Sequence, residues 1–120
     1  MTIKKIIYDF EKQRPGSCLS LPEYLEHINR LEQDIYDNII SRHEGAPSFV
    51  QYKGEEESLL VCDMYAQIYL YYLLAQTDLE NGDITRYSND MALFNNLLSE
   101  YGNWYNRTYM PNKRAKLGGY

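Results

Sequence analysis

At 120 residues, with 44% hydrophobic and 24% charged side chains, the chain has room for one core and the composition of a folded domain rather than a disordered one. Its formal charge of −5 speaks against general nucleic-acid binding, which needs a surplus of Lys and Arg to neutralise phosphates. The longest apolar run, Ile68 to Ala75, falls far short of the about 20 residues a membrane-spanning helix needs, so a soluble protein is expected.

Taken in chain order, the first element is a short helix. Thr2 can cap it, Ile3, Ile6, Ile7 and Phe10 recur at helical spacing, and Arg14-Pro15-Gly16 ends it. Ser20-Leu21-Pro22-Glu23 reads as a capping box, in which the Ser hydroxyl and the Glu carboxylate each accept a backbone N–H of the other residue. The second helix follows with Leu21, Leu25, Ile28, Leu31, Ile35 and Ile39 on one stripe, until Gly45 and Pro47 stop it.

Residues 45–61 lose the helical period. Pro47, Gly54 and the run Glu55-Glu56-Glu57 enclose an extended piece, Phe49 to Tyr52, which is expected to be a long loop with one short β-hairpin as an option. A third helix is expected from about Asp63 to Asn81, apolar on most faces, with Tyr71 and Leu74 placed nearer the side of Gln67 and Asp78. A helix of that kind is central in its own domain or covered by another chain, which makes Tyr71 and Leu74 candidates for an inter-subunit face. Asp83 then caps a fourth helix whose stripe Ile84, Tyr87, Met91, Phe94, Leu98, Tyr101 and Tyr105 alternates steps of three and four. Gly102 inside it suggests fraying or close approach.

From Asn106 onward come four basic residues, Arg107, Lys113, Arg114 and Lys116, and no acidic one, so the rest of the chain holds eight cations against seventeen anions. Residues 112–120 have no periodicity and are expected to be a flexible basic tail. The 13 tyrosines, against three Phe and one Trp, suit a half-buried core and also a surface that is wet before assembly and buried afterwards.

Catalytic signatures are missing from the sequence. His27 and His43 lack a second ligand at metal spacing and are expected at solvent edges, and Cys18 and Cys62 stand 44 positions apart, where reduced thiols are expected. Glu55-Glu56-Glu57 has no EF-hand spacing and reads as a solvated run. Neither a phosphate loop nor a nucleophile elbow is present. No enzyme, metal or cofactor is expected.

Three stretches, Ile35-Tyr36-x-x-Ile39-Ile40-x-x-His43-Glu44-Gly45, Tyr65-x-x-x-Tyr69-x-Tyr71-Tyr72-Leu73 and Asn81-Gly82-x-Ile84-x-x-Tyr87-x-x-x-Met91-x-x-Phe94-Asn95, together with Trp104-Tyr105-Asn106-Arg107-Thr108-x-Met110-Pro111, resemble small proteins of Firmicutes phages and prophages, the head–tail connector or adaptor family. That resemblance implies a virion neck protein made in the host cytoplasm. Its helical subunits would form a homo-oligomeric ring, twelvefold by analogy with a portal. The implied partners are the portal protein above and a stopper or tail completion protein below, with DNA passing through the lumen without specific binding. On this reading the basic tail, with Arg107, Lys113, Arg114, Lys116 and Tyr120, docks on an acidic surface of the portal or neighbour, and Glu55, Glu56 and Glu57 face the channel or the outer rim. The alternative is a small helical regulator or inhibitor that binds one host protein. The expected architecture is all-α, about four helices in a compact bundle over residues 1–111 with the tail at 112–120.

Overall fold

The computed structural model describes residues 1–16 and 19–110; Cys18, Lys113, Arg114, Lys116 and Tyr120, and the proposed tail at 112–120, lie outside them. Among the described residues four helices form an all-α bundle: α1 (Ile3–Gln13), α2 (Leu21–Asn38), α3 (Gln67–Glu80) and α4 (Ile84–Thr108), with single 3-10 turns at Ile40–Arg42 and Asp63–Tyr65.

The helix starts follow local chemistry. Thr2 accepts the Lys5 N–H with its side chain. At α2 both halves of the Ser20–Glu23 capping box are made, and Asp83 accepts the Arg86 N–H at 3.1 Å. Each satisfies a donor that a helix start leaves unpaired. Between α3 and α4 the chain reverses through Gly82, whose φ of +74° is costly for a residue with a Cβ.

Helix α3 is the axis of the molecule. Ile68, Tyr69, Leu70, Leu73, Leu74, Ala75, Thr77 and Asp78 are all buried, because α1, α2 and α4 pack around it. A helix covered from several sides needs apolar side chains on several sides, which accounts for its composition. Ile3, Ile6 and Phe10 of α1, and Tyr24, Ile28, Leu31 and Ile35 of α2, meet it in one core. Among the described residues five tyrosines are buried in that core: Tyr24, Tyr52, Tyr69, Tyr101 and Tyr105.

α2 and α4 run in the same direction on adjacent sides of α3. The Cδ1 of Ile39 lies 3.7 Å from where a Cβ on Gly102 would stand. One turn further on, the His43 ring sits edge-on to Tyr105 with centroids 4.7 Å apart. The Glu44 N–H then donates to the Met110 carbonyl at 2.9 Å. Gly102 lies inside α4, which continues to Thr108, and faces the end of the Ile39 side chain at ordinary van der Waals distance.

Two expectations are corrected, on the end of α2 and the start of the α4 stripe, and the long loop forms without the optional hairpin. No strand forms among the described residues, and the isolated bridge Thr2–Ser58 is the nearest thing to a ladder there. A hairpin is unavailable because side chains hold the backbone groups it would pair. Asn29 grips Tyr52 at both N–H (2.7 Å) and C=O (3.1 Å), and Tyr69 accepts the Val61 N–H. α2 ends at Asn38, before Gly45. The α4 stripe is buried at Phe94, Tyr101 and Tyr105, but Ile84 is 58% exposed, since the first turn of α4 projects past the elements that cover the rest.

Two substitutions test this packing in urea denaturation. Phe94→Ala, a truncation of a buried aromatic, is expected to cost about 3–5 kcal/mol. Gly102→Ala adds a methyl that meets nothing closer than 3.7 Å and is expected to stabilise by about 0.5–1 kcal/mol through helix propensity; a loss would show that α2 and α4 approach more tightly than described.

Candidate interaction surface

The buried polar groups are mostly structural. Glu32 sits on the apolar face of α2, between Ile28 and Ile35, and is fully buried. Its carboxylate accepts the Tyr52 O–H at 2.5 Å, the Tyr69 O–H at 2.6 Å and the Leu60 N–H at 2.9 Å. Burial raises its pKa and these three hydrogen bonds oppose the rise. The Tyr69 hydroxyl is pushed well above its usual pKa, first by burial and then by the neighbouring carboxylate. Helical spacing places Glu32 on the core face, and that offset was the one sequence signal that could have found it.

His43 also differs from expectation. It is buried at 6% exposure, with Nδ1 2.7 Å from the Ile39 carbonyl and Nε2 2.9 Å from the Asn106 side-chain oxygen. The carbonyl can only accept, so Nδ1 carries a proton. The histidine thus ties the end of α2 to the end of α4 instead of standing at a solvent edge.

At the opposite end of the bundle, Arg14 forms a two-pronged pair with Asp78, Nε to Oδ1 at 3.1 Å and Nη2 to Oδ2 at 2.8 Å, and stands 3.9 Å from Asp90. The hydrogen bond from Arg14 holds Asp78 below the usual carboxylate range. Asp90 is raised to about 7, first by burial and then by its hydrogen bond to Asp78. Two acids are tolerated beside one arginine because Asp78 takes the guanidinium while buried Asp90 holds a proton more readily than a free carboxyl.

The acidic loop is anchored through its backbone. The Glu57 and Glu55 carbonyls accept the Ile3 and Lys4 N–H groups at the start of α1, at 3.2 and 2.8 Å. The Glu57 carboxylate accepts the Lys53 and Gly54 N–H groups at 2.6 and 2.9 Å, which lowers its pKa. Glu56 faces Lys4 at 3.4 Å on the open surface. The run is therefore only partly a free solvated cluster: Glu57 is the staple of its own turn.

The proposed inter-subunit pair separates. Leu74 is 6% exposed and belongs to the core of its own chain, so it offers nothing to a neighbour; a helix hemmed in on several sides buries that position itself. Tyr71 is half-buried and lies in an open groove of about 270 Å³ between α3 and α4, with Met64, Gln67, Leu93, Leu97 and Glu100. Met64 and Leu93 are 68% and 48% exposed, so the groove is an apolar strip on an acidic protein. Sequence reading missed Met64 and Leu93, because each stands alone outside a stripe. Arg107 is exposed on the last turn of α4. Among the described residues no group of three His, Cys, Asp or Glu side chains is placed to hold a metal ion, and no helix is long and apolar enough to cross a membrane.

Two measurements check these assignments. Glu32→Ala strands three buried donors and is expected to cost about 3–5 kcal/mol in chemical denaturation; a change under about 1 kcal/mol would show the carboxylate is solvated. For Asp90, the folded state keeps a proton that the unfolded chain releases near pH 3.9, so its contribution to stability falls as pH rises from about 4 to 7. Asp90→Asn, which retains a donor toward Asp78, is expected to melt higher than the parent at pH 8, with the difference closing toward pH 4.5. An equal difference at both pH values would mean that Asp90 is ionised throughout.

Compared with known proteins, the chain matches no family model, no curated protein and no solved structure.

Proposed function

We propose that the chain is a structural subunit of a tailed-phage virion, a head–tail connector that forms a ring between the portal and a stopper or tail completion protein. The observation that carries this reading is the exposed apolar groove around Tyr71, with Met64 and Leu93 open to solvent. Surface of this kind on a small acidic protein marks a contact with another protein. A ring closes through head-to-tail contacts, in which a groove on one subunit receives a different face of the next.

The residues that resemble the connector family support the reading in a second way. His43 and Glu44 of the first stretch meet Tyr105, Asn106 and Met110 of the last. Tyr65 of the middle stretch packs on Tyr101 and Trp104, and Tyr72 packs on Phe94. Residues far apart in sequence thus form one set of contacts, which is what a shared fold requires of its recurring positions. On this reading the acidic loop belongs to the channel or the rim, where Glu55 and Glu56 would repel passing DNA. Arg107 and the basic residues that follow it belong to the portal-facing contact, and DNA traverses the lumen without specific binding.

The test is native mass spectrometry of the chain mixed with portal rings of the phage that encodes it. A complex carrying many copies per portal ring is expected, and Leu93→Asp, at an exposed position, should abolish it while leaving the melting temperature unchanged. Absence of any portal complex, together with one-to-one binding to a host protein, would replace this reading with that of a small helical inhibitor.

A further inference from the structure

The outer face of α4 that borders the Tyr71 groove carries a charge pattern with a centre. Leu93 is exposed, and Arg86 and Glu100 stand seven residues to either side of it, both exposed as well. Seven residues are close to two helical turns, so the three side chains share one face with about 10 Å between neighbours. Asn89 and Asn96, also exposed, fall between them, and Tyr71 of α3 flanks Leu93 across the groove. The strip thus runs from a cation through an apolar centre to an anion.

Within the chain these charges are little used. Among the described residues no cation forms an ion pair with Glu100, and the ion pair of Arg86 is with Asp83, at 3.4 Å on the open surface, a kind that contributes little. A second copy supplies the missing partners. Laid antiparallel over the first with Leu93 on the two-fold axis, its α4 sets Arg86 against Glu100 and Glu100 against Arg86. A parallel pairing would set Arg86 on Arg86 and Glu100 on Glu100, which like-charge repulsion disfavours. The charges therefore select both the partner and its direction. The face from Arg86 to Glu100 is about 21 Å long and, with α3 beside it, about 20 Å across. That gives about 400 Å² per partner, half that of a standard interface, so the pair is weak and transient.

We propose that the outer face of α4 is self-complementary and pairs two copies of this chain antiparallel, with Leu93 on Leu93 at the axis and two reciprocal ion pairs between Arg86 and Glu100. The inference goes beyond the connector reading and stands without it. Where both hold, the pair covers Leu93 and Tyr71, the surface that the ring contact uses. A free subunit then exchanges one contact for the other as it joins the ring.

Sedimentation equilibrium of the full chain, without portal, from about 0.01 to about 1 mM tests the pairing by mass action. A monomer–dimer equilibrium is expected. Glu100→Arg and Arg86→Glu, each checked for an unchanged melting temperature, should each weaken it about tenfold alone. Mixed in equal parts the two variants should recover the parent affinity, because every cation then meets an anion. In a Cys18→Ser, Cys62→Ser background, Leu93→Cys should form a disulfide-linked dimer under mild oxidation, whereas Glu100→Cys should cross-link with Arg86→Cys and not with itself. A chain that stays monomeric across the whole range would overturn the proposal, as would a mixture that associates no more tightly than its components. Larger assemblies without a cross-link at Leu93→Cys would overturn it too, by assigning the strip to a head-to-tail contact.

Discussion

A carboxylate with no access to solvent sets the terms for the rest of this protein. Glu32 gathers two tyrosine hydroxyls and a backbone N–H, from Tyr52 and Leu60 of the irregular segment and from Tyr69 of α3. In doing so it joins α2 to α3 and to the irregular segment between them. An ionised carboxylate at such depth is tolerated only with a full set of donors, so the positions of Tyr52, Leu60 and Tyr69 are specified together. The Tyr69 hydroxyl also accepts from Val61, which extends the constraint to the entrance of α3. This explains how a loop without regular structure keeps a defined path, and it gives a structural purpose to part of the tyrosine excess.

A second charged cluster serves the other end of the bundle. Arg14 closes α1 onto the end of α3 through Asp78, and Asp90 brings the first turns of α4 to the same point. The two acids respond to pH in opposite directions: Asp78 loses its stabilising pair as it is protonated below about pH 4, whereas Asp90 destabilises as it ionises above that range. The bundle is thus fastened by Arg14 at one end and by His43 and Asn106 at the other, with an apolar middle. Both fasteners join residues more than sixty positions apart, which fixes the order and direction of the helices as well as their contact.

What the surface offers follows from that arrangement. With α3 enclosed, the apolar area left over collects in the two grooves that α4 makes, with α3 on one side and α2 on the other. The first is open and carries exposed Met64 and Leu93. The second is bordered by Asp34 and Asn38.

By itself the sequence determined the four helices, their caps at Thr2, Ser20 and Asp83, the reversal at Gly82 and the all-α class, because these depend on residues within a few positions of one another. Helical spacing also identified the buried positions Ile3, Ile6 and Phe10 of α1, Ile28, Leu31 and Ile35 of α2, and Phe94, Tyr101 and Tyr105 of α4, while Leu21 of the expected α2 stripe is exposed. Tertiary structure decided the rest. Leu74 passed from candidate interface to core because α3 is surrounded, and periodicity says which side chains share a face without saying how many faces are covered. His43 passed from solvent edge to buried tie because Asn106 and Tyr105 arrive from 60 residues away. The hairpin gave way to a clamped loop because Asn29, Glu32 and Tyr69 supply the partners a second strand would have supplied. In each case the deciding group lay far off in sequence, and only the packing of α2, α3 and α4 against one another brought it within hydrogen-bonding or van der Waals distance.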